Sequence, residues 1–210
     1  MQAFAFVELP TWLVYERGGG GATKRAAQSW LQGIAPWDSD KTRGGYFDAG
    51  GNGVGMRILP HVLAHHGSDH TKIARNVVRN GICTHGHPRA LVGALLHAMT
   101  LWLSFRQSEI LEYGALVDEV FKSFRSWTSD CDVTNAWGRT FSADKISSYS
   151  KVWNDTVDET LQLLEICRNS LKRGPLSVGP ETLRQMGALD PKTNGSGKDR
   201  ELIRNGEAAS

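Results

Sequence analysis

The sequence predicts an all-α protein built around one core. Apolar residues recur at helical spacing along most of the chain, whereas alternating strand patterns are rare. The most apolar stretch, residues 91–105, is apolar on every side and is therefore predicted as the central helix. A chain of 210 residues with 40% hydrophobic and 22% charged residues has the size and composition of one globular domain, or at most two.

Seven helices are predicted in order. Asp155 is expected to cap the sixth, and Gly174 to end it. Pro60 lies too deep in the second for a first-turn proline, so that helix is expected to kink there or to begin late, near Leu59. The predicted ranges are 22–32, 54–66, 71–83, 88–105, 108–128, 155–173 and 180–186.

Two segments fall outside this pattern. Residues 129–149 are polar and weakly periodic but carry Trp137 and Phe141, which predicts a long surface excursion or, alternatively, a lid or partner-binding loop. From residue 190 onward apolar side chains almost disappear, which predicts disorder. The predicted division is therefore a helical domain over residues 1–189 and a disordered polar tail over residues 190–210.

Charge and cysteine content limit the classes of partner and compartment. Lys and Arg number 24 against 22 Asp and Glu, so the totals indicate neither a nucleic acid nor a membrane surface as partner. The N-terminus lacks the pattern of a signal peptide, and residues 91–105 are too few to span a bilayer. The three cysteines are odd in number and lack Cys-x-x-Cys spacing, which favours a reducing, cytoplasmic location.

The strongest functional signal is the sequence GGNGVGMR at residues 50–57. A glycine-rich turn that opens into a helix offers backbone N–H groups and a positive dipole end, which is typical of phosphate binding. The predicted helices 54–66 and 71–83 have nearly equal length and should run antiparallel. We therefore expect His85, and the helix N-terminus at Pro88, to return beside the loop in a site that suits a pyrophosphate.

Other candidate sites have competing interpretations. Arg57 in a first helical turn is unfavourable to the helix dipole and requires either a buried ion pair or an anionic ligand as an offset. His85 could instead serve only to satisfy backbone groups at a helix-turn-helix corner. The pairs His61/His65 and His66/His70 have the i,i+4 spacing of zinc ligands, but a solvated helix face is favoured for them because no acidic ligand lies nearby.

The glycine run at residues 18–21 is followed by Ala22, Thr23 and Lys24, which fails the P-loop pattern. A flexible helix entry is the favoured interpretation of this segment.

GNGVGMRILPHVLAHH and the later ICTHGHPRALVGALLHA resemble the ADP-ribosylglycohydrolase family, in which a Gly-Asn-Gly-x-x-Met-Arg loop and a Thr-His element embrace ADP-ribose. The resemblance is clear over residues 45–98 and weaker over 16–30 and 155–197. It implies an orthogonally packed helical domain and hydrolysis of the glycosidic bond of ADP-ribosylated substrates, with Mg²⁺ in complete members. It also implies that Lys24 and Arg25 add positive potential near the cleft. The substrate-binding residues that it implies are Gly51, Asn52, Gly53, Val54, Gly55, Met56, Arg57 and His85.

The family's two acidic metal motifs, Ser/Thr-Asp-Asp-Thr and Asp-x-Asp-Thr, have no match here. The sequence has no Asp-Asp pair, and its Asp-x-Asp sequences, at residues 38–40 and 130–132, are not followed by Thr. The resemblance therefore implies an incomplete domain, the central portion only, which has no catalytic or metal residue and binds no Mg²⁺. The alternatives to an incomplete enzyme are a non-catalytic module that binds ADP-ribose or another nucleotide, and an inert truncated fragment.

Overall fold

The computed structural model describes residues 3–15, 19–67, 69–129, 131, 133, 137, 140–174 and 180–186. These residues form helices and turns without a strand, which confirms the all-α prediction. A π-helical turn, Phe4–Glu8, continues directly into α1, Leu9–Val14. The other helices are α2 Gly21–Leu31, α3 Asp40–Phe47, a 3₁₀ turn Gly55–Arg57, α4 Leu59–His65, α5 His70–Gly81, α6 Pro88–Phe105, α7 Ala115–Ser129, α8 Ala143–Leu171 and α9 Pro180–Gln185.

The central helix of the core is α6, and it has the predicted bounds. It packs against α4, α5, α7 and α8. Pro88 occupies its first turn, where the missing N–H costs nothing, and His87 caps it by accepting a hydrogen bond from the Arg89 N–H at 3.1 Å. Its buried side chains are those of Pro88, Ala90, Leu91, Val92, Ala94, Leu95, Ala98 and Met99.

The segment predicted as one helix over residues 54–66 is divided in two. Its first part is the 3₁₀ turn, and α4 begins at Leu59 with Pro60 in its first turn. The late start expected from Pro60 is therefore confirmed. The prediction of two helices of equal length was wrong, because α4 has seven residues and α5 has 12.

The prediction that Asp155 caps a helix was also wrong. Helix α8 begins at Ala143, after Ser142 in an extended N-cap conformation, and its 29 residues run through Asp155. The side chain of Asp155 is exposed, so it needs no capping role to be accommodated. The π-helical turn, α1 and α3 were not predicted, because their sequences are short and lack helical periodicity.

The segment 129–149 contributes to the core where the structure describes it. Trp137 and Val133 are buried, and the Trp137 ring packs edge-on against Phe47 and Tyr149. These residues therefore do not belong to an excursion over the surface. The predicted tail, residues 190–210, lies outside the described residues.

None of the described helices combines the length and apolar character that crossing a bilayer requires.

Candidate functional site

In the glycine loop, residues 51–55, three successive carbonyl groups accept hydrogen bonds from the residues that follow. The Asn52 carbonyl accepts a hydrogen bond from the Met56 N–H at 3.1 Å, and the Val54 carbonyl accepts one from the Arg57 N–H at 3.1 Å. Between them, the Gly53 carbonyl accepts one from Arg57 Nη1 at 2.9 Å. Three successive carbonyls are thus held by the turn that follows the loop.

The backbone N–H groups of the loop are directed the other way. In a trans peptide the N–H points opposite to the preceding C=O, and the described residues contain no cis peptide. Fixing the carbonyls of residues 52–54 therefore fixes the N–H groups of residues 53–55. Within the described part of the chain, the N–H groups of residues 51–55 meet no hydrogen-bond acceptor. This arrangement leaves unengaged donors that suit an anion at residues 51, 52, 53 and 55, which are exposed or half-buried, whereas Val54 is fully buried.

His85 lies against this loop, as the sequence analysis expected. A Cβ atom built on Gly53 would lie 3.0 Å from His85 Cε1 and 3.2 Å from His85 Nε2. The His85 side chain is buried, and its Nδ1 lies 2.7 Å from the Thr84 hydroxyl. Nε2 is therefore the ring nitrogen on the side of the loop.

Arg57 holds the loop from within the fold. Its Nε donates to Asn80 Oδ1 at 2.6 Å, and its Nη2 donates to the Asn80 carbonyl at 3.1 Å and to the Thr84 hydroxyl at 2.6 Å. The guanidinium also lies 5.4 Å from the ring centre of Phe4. With the bond to Gly53, Arg57 makes four hydrogen bonds to neutral oxygen atoms. These bonds compensate for burying the guanidinium, a role for which the sequence had suggested an ion pair or an anionic ligand.

Burial affects the protonation of Arg57 and His85 differently. It lowers the pKa of Arg57 to about 10, so the guanidinium remains protonated at neutral pH. Burial, with the nearby charges of Arg57 and Arg25, lowers the pKa of His85 to about 3. His85 is therefore a neutral imidazole at neutral pH, and the positive charge of the site lies on the arginines.

The N-terminal part of α2 forms a further wall of the site. The Thr23 hydroxyl would lie 3.7 Å from a Cβ on Gly53. Arg25 is exposed, and within the described part of the chain its Nη2 reaches the Gly45 carbonyl alone, at the long distance of 3.5 Å. The sequence pointed to Lys24 and Arg25 through the family resemblance, whereas Thr23 gave no signal because only the fold brings it to Gly53.

Two aromatic side chains fix the corner, residues 82–86, that carries His85. The Trp30 indole of α2 donates to the Cys83 carbonyl at 2.8 Å, and the Tyr46 hydroxyl of α3 donates to the Ile82 carbonyl at 2.8 Å. The Gly86 N–H returns a hydrogen bond to the Tyr46 carbonyl at 2.9 Å. Helices that lie far away in the sequence therefore position His85.

A cavity of about 470 Å³ is lined by residues of α3, the start of α6 and the N-terminal part of α8. Asp48, three residues before the loop, and His87, two residues after His85, both line it. Its walls also carry four aromatic rings and two cationic side chains; these are Phe47, Trp137, Phe141 and Tyr149, with Arg43 and Lys145.

The remaining residues that the sequence singled out differ in exposure and in their contacts. Val54 is fully buried, and Met56 is 78% exposed. His66 follows the end of α4 and His70 begins α5, so these two histidines do not share a helix face as predicted. His70 instead stacks on Trp127 at 5.4 Å between ring centres.

The described residues do not fit a magnesium site of the family's kind. Nowhere among them do three His, Cys, Asp or Glu side chains converge as metal ligands would. Several carboxylates have other partners: Asp158 pairs with Arg125 at 2.6 Å, and Glu159 pairs with Arg89 at 2.9 Å. Asp130 and Asp132 lie outside the described residues.

Comparison with known proteins assigns the family. The sequence model of the ADP-ribosylglycohydrolase family matches residues 2–187. No curated protein and no solved structure gives a significant match to the chain. The chain therefore belongs to the ADP-ribosylglycohydrolase family, whose members are hydrolases that act on ADP-ribosylated substrates.

Proposed function

We propose that this member of the ADP-ribosylglycohydrolase family binds ADP-ribose, free or attached to a substrate, and that this chain alone does not complete the hydrolysis. The observation that carries the proposal is the row of loop N–H groups whose direction is fixed by three engaged carbonyls. The residues assigned to binding are Gly51, Asn52, Gly53, Val54, Gly55, Met56, Arg57 and His85.

The pyrophosphate is the part of the ligand that the glycine loop would hold. Free backbone N–H groups bind phosphate oxygens without a side chain in between. Arg25 is the cation proposed to contact the pyrophosphate, since it is exposed and its one hydrogen bond among the described residues is long. Arg57 acts differently in this proposal, because its hydrogen bonds are directed to the protein and hold the loop in its binding conformation.

The aromatic cavity supports a ligand that also carries a base. A planar base can stack or pack edge-on against aromatic rings, and two residues that line the cavity, Asp48 and His87, are close in sequence to the loop and to His85. Lys145 and Arg43 supply cationic groups at the same cavity, although Arg43 is paired with Asp40 at 2.8 Å and Asp48 adds a carboxylate, so the support for an anionic ligand comes chiefly from Lys145. A nucleotide combines these two requirements.

The absence of hydrolysis is proposed from the ligand chemistry of the side chains. Mg²⁺ requires near-octahedral oxygen ligation, and the described carboxylates do not converge to provide it. A cytoplasmic setting is proposed from the three cysteines, all of them described and none joined in a disulfide.

Binding can be tested by the thermal stability of the chain in ADP-ribose. At 100 times the dissociation constant, ligand binding should add about 2.7 kcal/mol to the free energy of unfolding. ADP and ribose 5-phosphate, tested separately, identify the half of the ligand that provides the affinity. A melting temperature that saturating ADP-ribose leaves unchanged would favour the inert-fragment alternative.

The assignment of Arg25 has its own test. Arg25→Gln should weaken ADP-ribose binding about tenfold, as expected for loss of one charge-assisted contact worth about 1.5 kcal/mol. Arg75→Gln is the matched control, because Arg75 is an exposed arginine of α5 and its loss changes the net charge equally. Equal affinities of the two variants would contradict the role of Arg25, and titration calorimetry measures both.

A further inference from the structure

The Thr84 hydroxyl joins Arg57 to His85, and its hydrogen atom can be located. Arg57 has no acceptor, so at the 2.6 Å contact the hydroxyl oxygen accepts from Nη2. The hydroxyl then has one proton and two neighbours, His85 Nδ1 at 2.7 Å and the Gly81 carbonyl at 3.4 Å. Only the first has the length of a good hydrogen bond.

This geometry determines the tautomer of His85. If Nδ1 carried the ring proton, Nδ1 would donate to Thr84, and the hydroxyl proton would be left with the distant Gly81 carbonyl. If the hydroxyl donates to Nδ1, both short contacts of Thr84 are satisfied. A neutral imidazole that accepts at Nδ1 carries its proton on Nε2.

We propose that Arg57 and Thr84 are positioning residues that hold His85 in the Nε2–H tautomer, so that His85 adds a side-chain donor to the N–H groups of the glycine loop. Nε2 lies on the Gly53 side of the ring. Arg57 binds the Gly53 carbonyl and the Thr84 hydroxyl at once, so one side chain orients both the loop and the imidazole. The benefit for anion binding rests on the proposed function, whereas the tautomer itself does not.

The tautomer can be measured in the ligand-free protein by long-range ¹H–¹⁵N correlation spectra of ¹⁵N-histidine-labelled chain. The His85 signals are identified by their loss in His85→Asn. We expect Nε2 to show the shift of a protonated ring nitrogen, and Nδ1 that of an acceptor. His87 is an internal reference, because its Nδ1 accepts from the Arg89 N–H and it should be the same tautomer.

Thr84→Val tests the relay, and Thr84→Ser is its matched control. Valine keeps the shape but removes the hydroxyl, so His85 should lose its single tautomer while His87 is unchanged. Binding of ADP-ribose should weaken about tenfold in Thr84→Val and by less than about twofold in Thr84→Ser, since only the first loses the hydrogen bond that orients the donor.

The outcomes separate the two proposals. A wild-type His85 with its proton on Nδ1 overturns the relay, and this holds even if Thr84→Val fails to fold. An unchanged His85 spectrum in folded Thr84→Val overturns it as well. A wild-type chain with the expected tautomer that does not bind ADP-ribose supports the relay and contradicts the proposed function.

Discussion

At the scale of single residues, the glycines of the loop differ in whether a side chain could be accommodated in their place. Their backbone does not adopt positive φ; in the described chain this conformation occurs at Gly33, Gly114 and Gly174. A Cβ on Gly51 would meet nothing within 4 Å, whereas one on Gly53 would press on His85. Glycine is therefore needed at residue 53 for close approach rather than for backbone freedom.

Gly53→Val should abolish the stabilisation by ADP-ribose. The added side chain would occupy the space between the loop and His85, so neither the N–H groups nor Nε2 could reach a ligand from their present positions. Gly67→Val is a control of equal size outside the site, since Gly67 is exposed and open space surrounds its Cβ direction. Thermal melts with and without ADP-ribose measure the effect, and a normal ligand shift in Gly53→Val would contradict the geometry.

His85 should make the protein sensitive to acid. Its pKa is lowered from 6.5 to about 3 in the folded state, so the unfolded chain binds more protons between these values. The stabilising contribution is therefore present above about pH 6.5 and is lost as the pH falls toward about 3. Between pH 7 and 4.5 the loss from this one group should be about 3 kcal/mol.

The His85 contribution is measured by comparing wild type with His85→Asn, whose side-chain oxygen can still accept from Thr84. Urea unfolding at pH 7 and at pH 4.5 gives the free energies. The decrease in the free energy of unfolding between the two pH values should be smaller in the variant by about the same 3 kcal/mol. Burial also lowers the pKa of His61 and His87, but these two residues contribute equally to both proteins. Equal decreases in the two proteins would show that His85 titrates normally.

At the scale of elements, the corner between α5 and α6 depends on α3. A Cβ on Gly86 would overlap Tyr46 Cε1 and would lie 2.9 Å from Phe47 Cδ1. The Tyr46 ring cannot easily move away, because its hydroxyl donates to the Ile82 carbonyl and the Trp37 ring also packs against it. The packing of α3 against the corner therefore requires a residue without a side chain.

Gly86→Ala should lower the free energy of unfolding by about 1–3 kcal/mol, the usual cost of overpacking a core. Gly44→Ala is the control within α3 itself, since nothing lies near its Cβ direction and its surface is exposed. That variant should gain up to about 1 kcal/mol, because alanine is the better helix former. Urea denaturation distinguishes the two, and a neutral Gly86→Ala would mean that α3 and the corner are loosely packed.

At the scale of the whole molecule, the family is generally metal-dependent, and the resemblance seen in the sequence implies that its metal ligands come from two distant acidic motifs. In the described residues Asp158 of α8 pairs with an arginine of α7, and Glu159 of α8 pairs with an arginine of α6. These two carboxylates therefore join neighbouring helices. Pairs of this exposure contribute little to stability.

The purified 210-residue chain should not hydrolyse ADP-ribosylated protein. Without a metal to orient water and stabilise developing charge, several kcal/mol of transition-state stabilisation would be missing, and each 1.36 kcal/mol is about tenfold in rate. Release of ADP-ribose, measured by chromatography with and without Mg²⁺ or Mn²⁺, should stay at background. Turnover that a chelator abolishes would overturn this prediction, and Asp130 and Asp132 would then be the first pair to substitute.

The sequence by itself determined the helical class and the central helix α6 with both its bounds, and it offered the late start of α4 near Leu59 as one of two effects of Pro60. These features are local: they depend on apolar spacing within one segment and on the missing N–H of proline. The approach of His85 to the glycine loop was also predictable, although the matched helices used to argue for it do not exist.

Only the tertiary structure decided the roles within the site. The sequence left the partner of Arg57 open between an ion pair and an anionic ligand, and in the structure its hydrogen bonds go to Gly53, Asn80 and Thr84. Thr23 became part of the site because α2 packs beside the loop, and Trp137 became a core residue because its ring meets Phe47. Such contacts join residues far apart in the chain, so the partner of each polar or aromatic group depends on the packing of whole helices and is not set by its own neighbours in sequence.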